Sequence, residues 1–225
     1  MIKDKERYFI NNYWHYYQEL ENEFLQVRKY VEFSENNFNT YSIELLKLYQ
    51  AACSEIDVVG KILAAEVNKD YKVEDKSSIY KWWFEIQDRC VLVEGEKNYA
   101  LIENEVKLLD MICIKPWASF KVEKYFDKRN NIRYRCLEKY KTPTWWSDYN
   151  KVKHQRISLS KDDKLKINYT KANLKNTAYS FSALYILLLA YAEVLNIRDR
   201  LTNSKLFEVL KPIPVEEIKS LFRVA

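Results

Sequence analysis

Two glycines in 225 residues constrain this chain more than any motif it carries. Glycine-rich phosphate loops and dinucleotide-binding turns need backbone that only a residue without Cβ supplies. Multi-turn β-sandwiches are equally disfavoured. With 4 prolines besides, the chain has few ways to interrupt itself and reads as mainly α-helical. The aromatic fraction of 15%, including 18 Tyr and 6 Trp, offers enough apolar surface to offset chain entropy, which excludes disorder over most of the length. The size suits one domain, 1–225, with a core that needs no disulfide or metal to explain folding.

Two long amphipathic stripes open the chain. Ile10, Tyr13, Tyr17, Leu20, Phe24, Val27 and Val31 alternate spacings of three and four, the signature of one helical face. After the polar turn SENNFNT, Tyr41, Leu45, Leu48, Ala52, Ile56, Val59, Leu63 and Val67 repeat the pattern. A short polar connection predicts an antiparallel helical hairpin. Gly60 inside the second stripe implies close packing against a neighbour. A third helix is expected from about Ser77 or Ser78 through Trp82 and Trp83.

Periodicity fails over 91–140, which is read as an insertion with irregular or small β structure. Helical signals resume at KTPTWWSDYNKVKHQR, with Thr142 as expected N-cap and Pro143 in the first turn. A lysine-rich loop, SKDDK, leads to the most apolar helix, expected over about 169–196 at the centre of the bundle. Pro212 and Pro214 would open a short terminal helix.

The opening MIKDKERYFINNYWHYY lacks an apolar run before a cleavage site, so no secretory signal is expected. The strongest apolar run, 181–192, is shorter than the roughly 20 residues a bilayer requires. A cytoplasmic protein without membrane contact is expected. Four cysteines without a CxxC pair, and only 2 His, predict reduced thiols and no metal or other cofactor.

Charge is uneven. The net value is +5, yet residues 121–176 alone hold 16 Lys plus Arg against 6 Asp plus Glu. Concentrated cations attract phosphates, and KRNNIRYRC interleaves them with an aromatic side chain as RNA-backbone binders do. A solvated lysine-rich surface explains the same composition. The densest polar group is on the 145–156 helix, where Ser147, Asn150 and His154 share a face. An amide one turn before an imidazole can orient it, and imidazole titrates near neutrality, as an acid or base must. A packed or capping histidine is the plainer reading. His15, in an aromatic helix, reads as packed or exposed rather than catalytic.

The string WWSDYNKVKHQR, followed by YTKANLKNTAYSFSALYILLLAYAE, resembles the HEPN superfamily. Its members are α-helical bundles, many from bacterial toxin and defence systems, with an Arg followed a few residues later by His. The resemblance implies a metal-independent endoribonuclease whose composite site forms across a homodimer. On that reading His154 is the acid/base, Asn150 the polar residue that orients it, and Lys153, Arg156, Arg133 and Arg135 contact phosphate. The substrate would be RNA. Tyr149 stands where the family has its Arg, and a phenol carries no positive charge to offset a phosphorane. The alternative is therefore a non-catalytic HEPN-like module binding nucleic acid, nucleotide or protein through the basic face.

Overall fold

A computed structural model of the chain describes residues 2–74, 78–94, 97–100, 105–109, 112–159 and 165–210. The described residues are mainly helical. Helix α1 (Ile2–Phe9) runs through a π-helical segment (Ile10–Trp14) into α2 (His15–Val27). The wider π turn changes the expected stripe: Phe9 rather than Ile10 enters the core, and Tyr13 and Trp14 are buried side by side. Helix α3 (Ile43–Val67) begins at Ser42, whose Oγ accepts from Leu45 N at 3.1 Å.

The two stretches run antiparallel, as their stripes predict. Lys5 at the start of α1 meets Glu66 at the end of α3 at 2.6 Å, and Glu23 in α2 lies within electrostatic reach of Lys47. Helix α4 (Ile79–Ile86) crosses α3 at Gly60. A Cβ there would lie 2.7 Å from the Trp82 ring, so glycine is what allows the indole to lie on the α3 backbone.

Residues 91–140 form small antiparallel ladders: β1 (Val91–Glu94) with β2 (Lys97–Ala100), β3 (Val106–Leu108) with β4 (Ile112–Ile114), and β5 (Val122–Phe126) with β6 (Ile132–Cys136). The last is closed by the DKRNN turn. Asp127 Oδ1 accepts from Arg129 N and Asn131 N at 2.9 Å each, and Asn130 sits at φ 58°. This region is not a loose flap. Trp117 and Phe120 are buried in the bundle, Trp117 stacking on Trp83 at 4.4 Å and donating from Nε1 to Ala183 O at 3.4 Å.

Helix α5 (Thr144–His154) carries the motif. Its start differs from expectation: Pro143 is the cap residue, while the Thr142 hydroxyl lies 2.6 Å from Tyr80 OH instead of capping. A short pairing of β7 (Ile157–Leu159) with β8 (Leu165–Ile167) and a 3-10 turn (Asn168–Lys171) follow, and the SKDDK loop lies outside the described residues. Helix α6 (Leu174–Val194) then packs along α3. Its 21 residues have the length and apolar character of a membrane span, with mean hydropathy 1.3, yet 83% of that stretch is buried inside the chain.

A left-handed Asn196 (φ 57°) ends α6, with Asn196 N bonding Glu193 O and Ile197 N bonding Ala192 O, both at 2.9 Å. The chain then returns as β9 (Phe207–Val209), pairing antiparallel with β3. The expected helix after Pro212 and Pro214 lies outside the described residues.

Candidate functional site

Helix α5 is held by aromatic side chains at its first two turns. Trp145 and Trp146 are buried, Trp145 Nε1 donates to Pro116 O at 3.0 Å, and the buried Tyr49 hydroxyl donates to Trp145 O. Tyr149 is also inside, edge-on to Tyr49 at 6.0 Å between ring centres. Burial pushes its hydroxyl up to about 12, so it stays a neutral phenol at physiological pH. It cannot do electrostatically what an arginine at this position would.

The exposed side of α5 lines an open cleft of about 650 Å³ with α3 and the start of α4. Ser147, Tyr149, Asn150, Lys153 and His154 all face it, so the polar face expected from helical spacing exists. His154 is the last residue of the helix and is exposed, without a hydrogen bond or ion pair among the described residues. Asn150 makes no hydrogen bond to it: its Nδ2 donates back to Trp146 O at 3.2 Å. The Lys153 ammonium lies 5.6 Å from the centre of the Tyr149 ring, a cation–π contact that leaves its charge at the cleft. Asp57, the carboxylate on the opposite wall, is engaged by Lys61 at 2.6 Å and by Trp82 Nε1 at 3.2 Å.

The other expected phosphate ligands are elsewhere. Arg156 lies beyond the helix end, because Gln155 leaves helical geometry (φ −146°, ψ 69°), and its side chain does not line this cleft. Arg133 and Arg135 project from β6 and are paired within their own hairpin: Arg133 Nε with Asp127 at 3.0 Å, and Arg135 Nε with Glu123 at 2.7 Å. Backbone amides, Asn131 N first, with Arg133 added, hold the Asp127 carboxyl down to about 2, so it stays ionised at ordinary pH. Both arginines thus have a carboxylate neighbour inside the hairpin rather than standing alone. His15 is exposed at the start of α2 and does not line the cleft; α5 packs against α3 and α6. Trp82 and Trp83 are fully buried and present no stacking surface.

Asp148 is the functional-region residue that sequence reading missed. It is buried, and its Oδ1 accepts from Lys151 at 3.0 Å and Lys171 at 2.8 Å, while Oδ2 accepts from Asn176 Nδ2 at 3.4 Å. The Lys151 spacing of three was visible in sequence; Lys171 and Asn176 come from other elements. Burial alone would raise this carboxyl, but the bonds and charges of Lys171 and Lys151 outweigh it and hold it below the ordinary range.

Since the folded value is depressed, its stabilisation is present above the unfolded value of about 3.9 and lost as pH falls through the folded value. Asp148→Asn should cost about 1–3 kcal/mol at pH 7. Urea midpoints taken from pH 7 down to 3 should show the gap to wild type closing with acid. A constant gap would show that Asp148 does not titrate in this way.

Compared with models of protein families, with curated proteins and with solved structures, the chain matches none. The resemblance to HEPN proteins thus rests on the sequence strings alone.

Proposed function

We propose that this chain is a non-catalytic, HEPN-like helical module that binds nucleic acid along the exposed face of α5. The observation that carries this reading is the charge balance of the α5 cleft. Lys153 stands at its rim without a carboxylate partner among the described residues, while Asp57, the carboxylate in the facing wall, is engaged by Lys61 and Trp82. Such a groove attracts a phosphodiester backbone. Cleavage would further need a fixed cation to stabilise the phosphorane at the reacting phosphate, and Tyr149 supplies a neutral buried phenol in its place.

Fluorescence polarisation with a labelled RNA oligonucleotide tests this. Binding should weaken linearly in log–log against salt, fall severalfold in Lys153→Glu, and hold in His154→Ala, with the RNA intact in EDTA. No binding at low salt would sink the proposal.

The ribonuclease reading is favoured by one feature, the exposed imidazole of His154 with no competing bond. EDTA-resistant cleavage abolished by His154→Ala would establish it instead. It would also require the homodimer that the family resemblance implies. The apolar surface of α6 is already buried within one chain, so such pairing would not rest on it.

A further inference from the structure

On the other side of α5 lies a second cleft, of about 490 Å³, that the α5-face reading does not use. Three lysines from three separate elements line it: Lys115 after β4, Lys141 before α5, and Lys175 in the first turn of α6. Lys141 and Lys175 have no carboxylate partner among the described residues, and Lys115 reaches only Glu105, at 3.5 Å. The Lys175 ammonium rests 5.9 Å from the centres of the Phe38 and Tyr179 rings, which position it without neutralising it.

The backbone adds donors. Pro143 has no side-chain acceptor to cap α5, and the amides of Thr144 and Trp145, both at the cleft wall, have no acceptor among the described residues. The contrast with α6 is informative. There Leu174 N bonds Thr40 O, Lys175 N bonds Phe38 O, and Asn176 N bonds Asn173 Oδ1. One helix start is closed by its own chain, while the other is left open in the wall of the cleft that the three lysines line. The carboxylate in this wall, Asp148, is buried and held by Lys151 and Lys171, so that trio carries a net positive charge. Ser119, Thr142, Thr144, Asn173 and Asn176 add polar side chains to the lining.

We infer that this cleft binds a phosphate monoester, the terminal phosphate of a nucleic-acid strand or of a mononucleotide. A phosphodiester carries one charge and has both ends tied to sugars. A terminal phosphate carries about −1.5 to −2 and offers three free oxygens, which suits a cleft whose wall holds three lysines and two amides without an acceptor among the described residues. The cleft volume falls within the roughly 300–1,000 Å³ of small-ligand sites, leaving room for a nucleoside beside the phosphate. The two clefts share Thr142 in their walls. If the α5-face reading holds, a strand in the His154 groove would therefore place its end here; the monoester site itself stands on its own residues.

The test compares 5′-phosphorylated and 5′-hydroxyl forms of one RNA oligonucleotide by polarisation, with adenosine 5′-monophosphate followed by amide NMR. A strand-end site predicts about tenfold tighter binding of the phosphorylated form, the scale of one charge-assisted hydrogen bond, and loss of that preference in Lys141→Gln/Lys175→Gln. A mononucleotide site predicts equal strand affinities, with shifts of the Thr144 and Trp145 amides on adding adenosine 5′-monophosphate that the double variant abolishes. Equal strand affinities with no such shifts overturn the inference. So does a 5′-phosphate preference that survives the double variant. The 5′-hydroxyl strand reports separately on the α5 groove through Lys153→Glu, so either reading can fail alone.

Discussion

Glu21→Ala should destabilise the fold by about 3–5 kcal/mol and free the C-terminal strand from the bundle. Glu21 is 2% exposed, a carboxylate facing inward from α2. Its oxygens accept from Tyr17 OH at 2.9 Å, from Ser204 Oγ, from Lys205 N at 3.1 Å and from Leu206 N at 3.4 Å. Removing it leaves four donors around a void, each losing a bond to a charged group at a site water reaches poorly. The damage should have an address. The chain after Ser204 leads into β9, whose pairing with β3 joins the C-terminal part of the chain to the insertion. Hydrogen exchange should lose protection at Leu206 and Leu210 before it does so within α3. Glu21→Gln should fall between, since its amide keeps one acceptor but turns a donor toward other donors. Unchanged protection at Leu206 in Glu21→Ala would show that the carboxylate does not hold the strand.

Trp117→Ala is the second large effect, about 3–5 kcal/mol by the usual cost of deleting a buried indole. Trp117 is 1% exposed and sits where three elements meet. Its ring stacks on Trp83 of α4 at 4.4 Å and meets Trp145 of α5 edge-on at 5.1 Å, while its Nε1 donates to Ala183 O of α6. Losing it opens a cavity beneath α5 and unties 91–140 from the helices. Stability and binding should therefore fail together: the variant should denature at lower urea and bind RNA less well even where it remains folded. Trp117→Phe keeps an aromatic face and should recover most of the stability. A Trp117→Ala protein as stable as wild type would mean the insertion is held by other contacts.

The long helices could be read from sequence because their cause is local. Stripes at spacings of three and four predict α2, α3 and α6, since an apolar face repeating at the helical period must be buried somewhere. The polar face of α5 followed from the same geometry, and Ser147, Asn150 and His154 do line one cleft, joined there by Lys153, which helical spacing had set off that face. Even local rules had limits. The π segment at Ile10–Trp14 shifted which residues enter the core, and the helix ended at His154, before Gln155 and Arg156.

What the tertiary structure alone decided depends on residues far apart in the chain. Glu21 meets Ser204, Lys107 pairs across strands with Glu208, and Trp117 reaches Ala183. No periodicity encodes such pairings, because each depends on how the chain folds back, and their cost in loop closure is repaid only in the assembled core. The same holds for charge. Composition counted Arg133 and Arg135 as cations for phosphate, while folding paired them with Asp127 and Glu123. It left Lys141 and Lys175, unremarked in sequence, to face a cleft with Lys115. Local patterning determined which segments are helices; only three-dimensional neighbours determined which charges remain free to act.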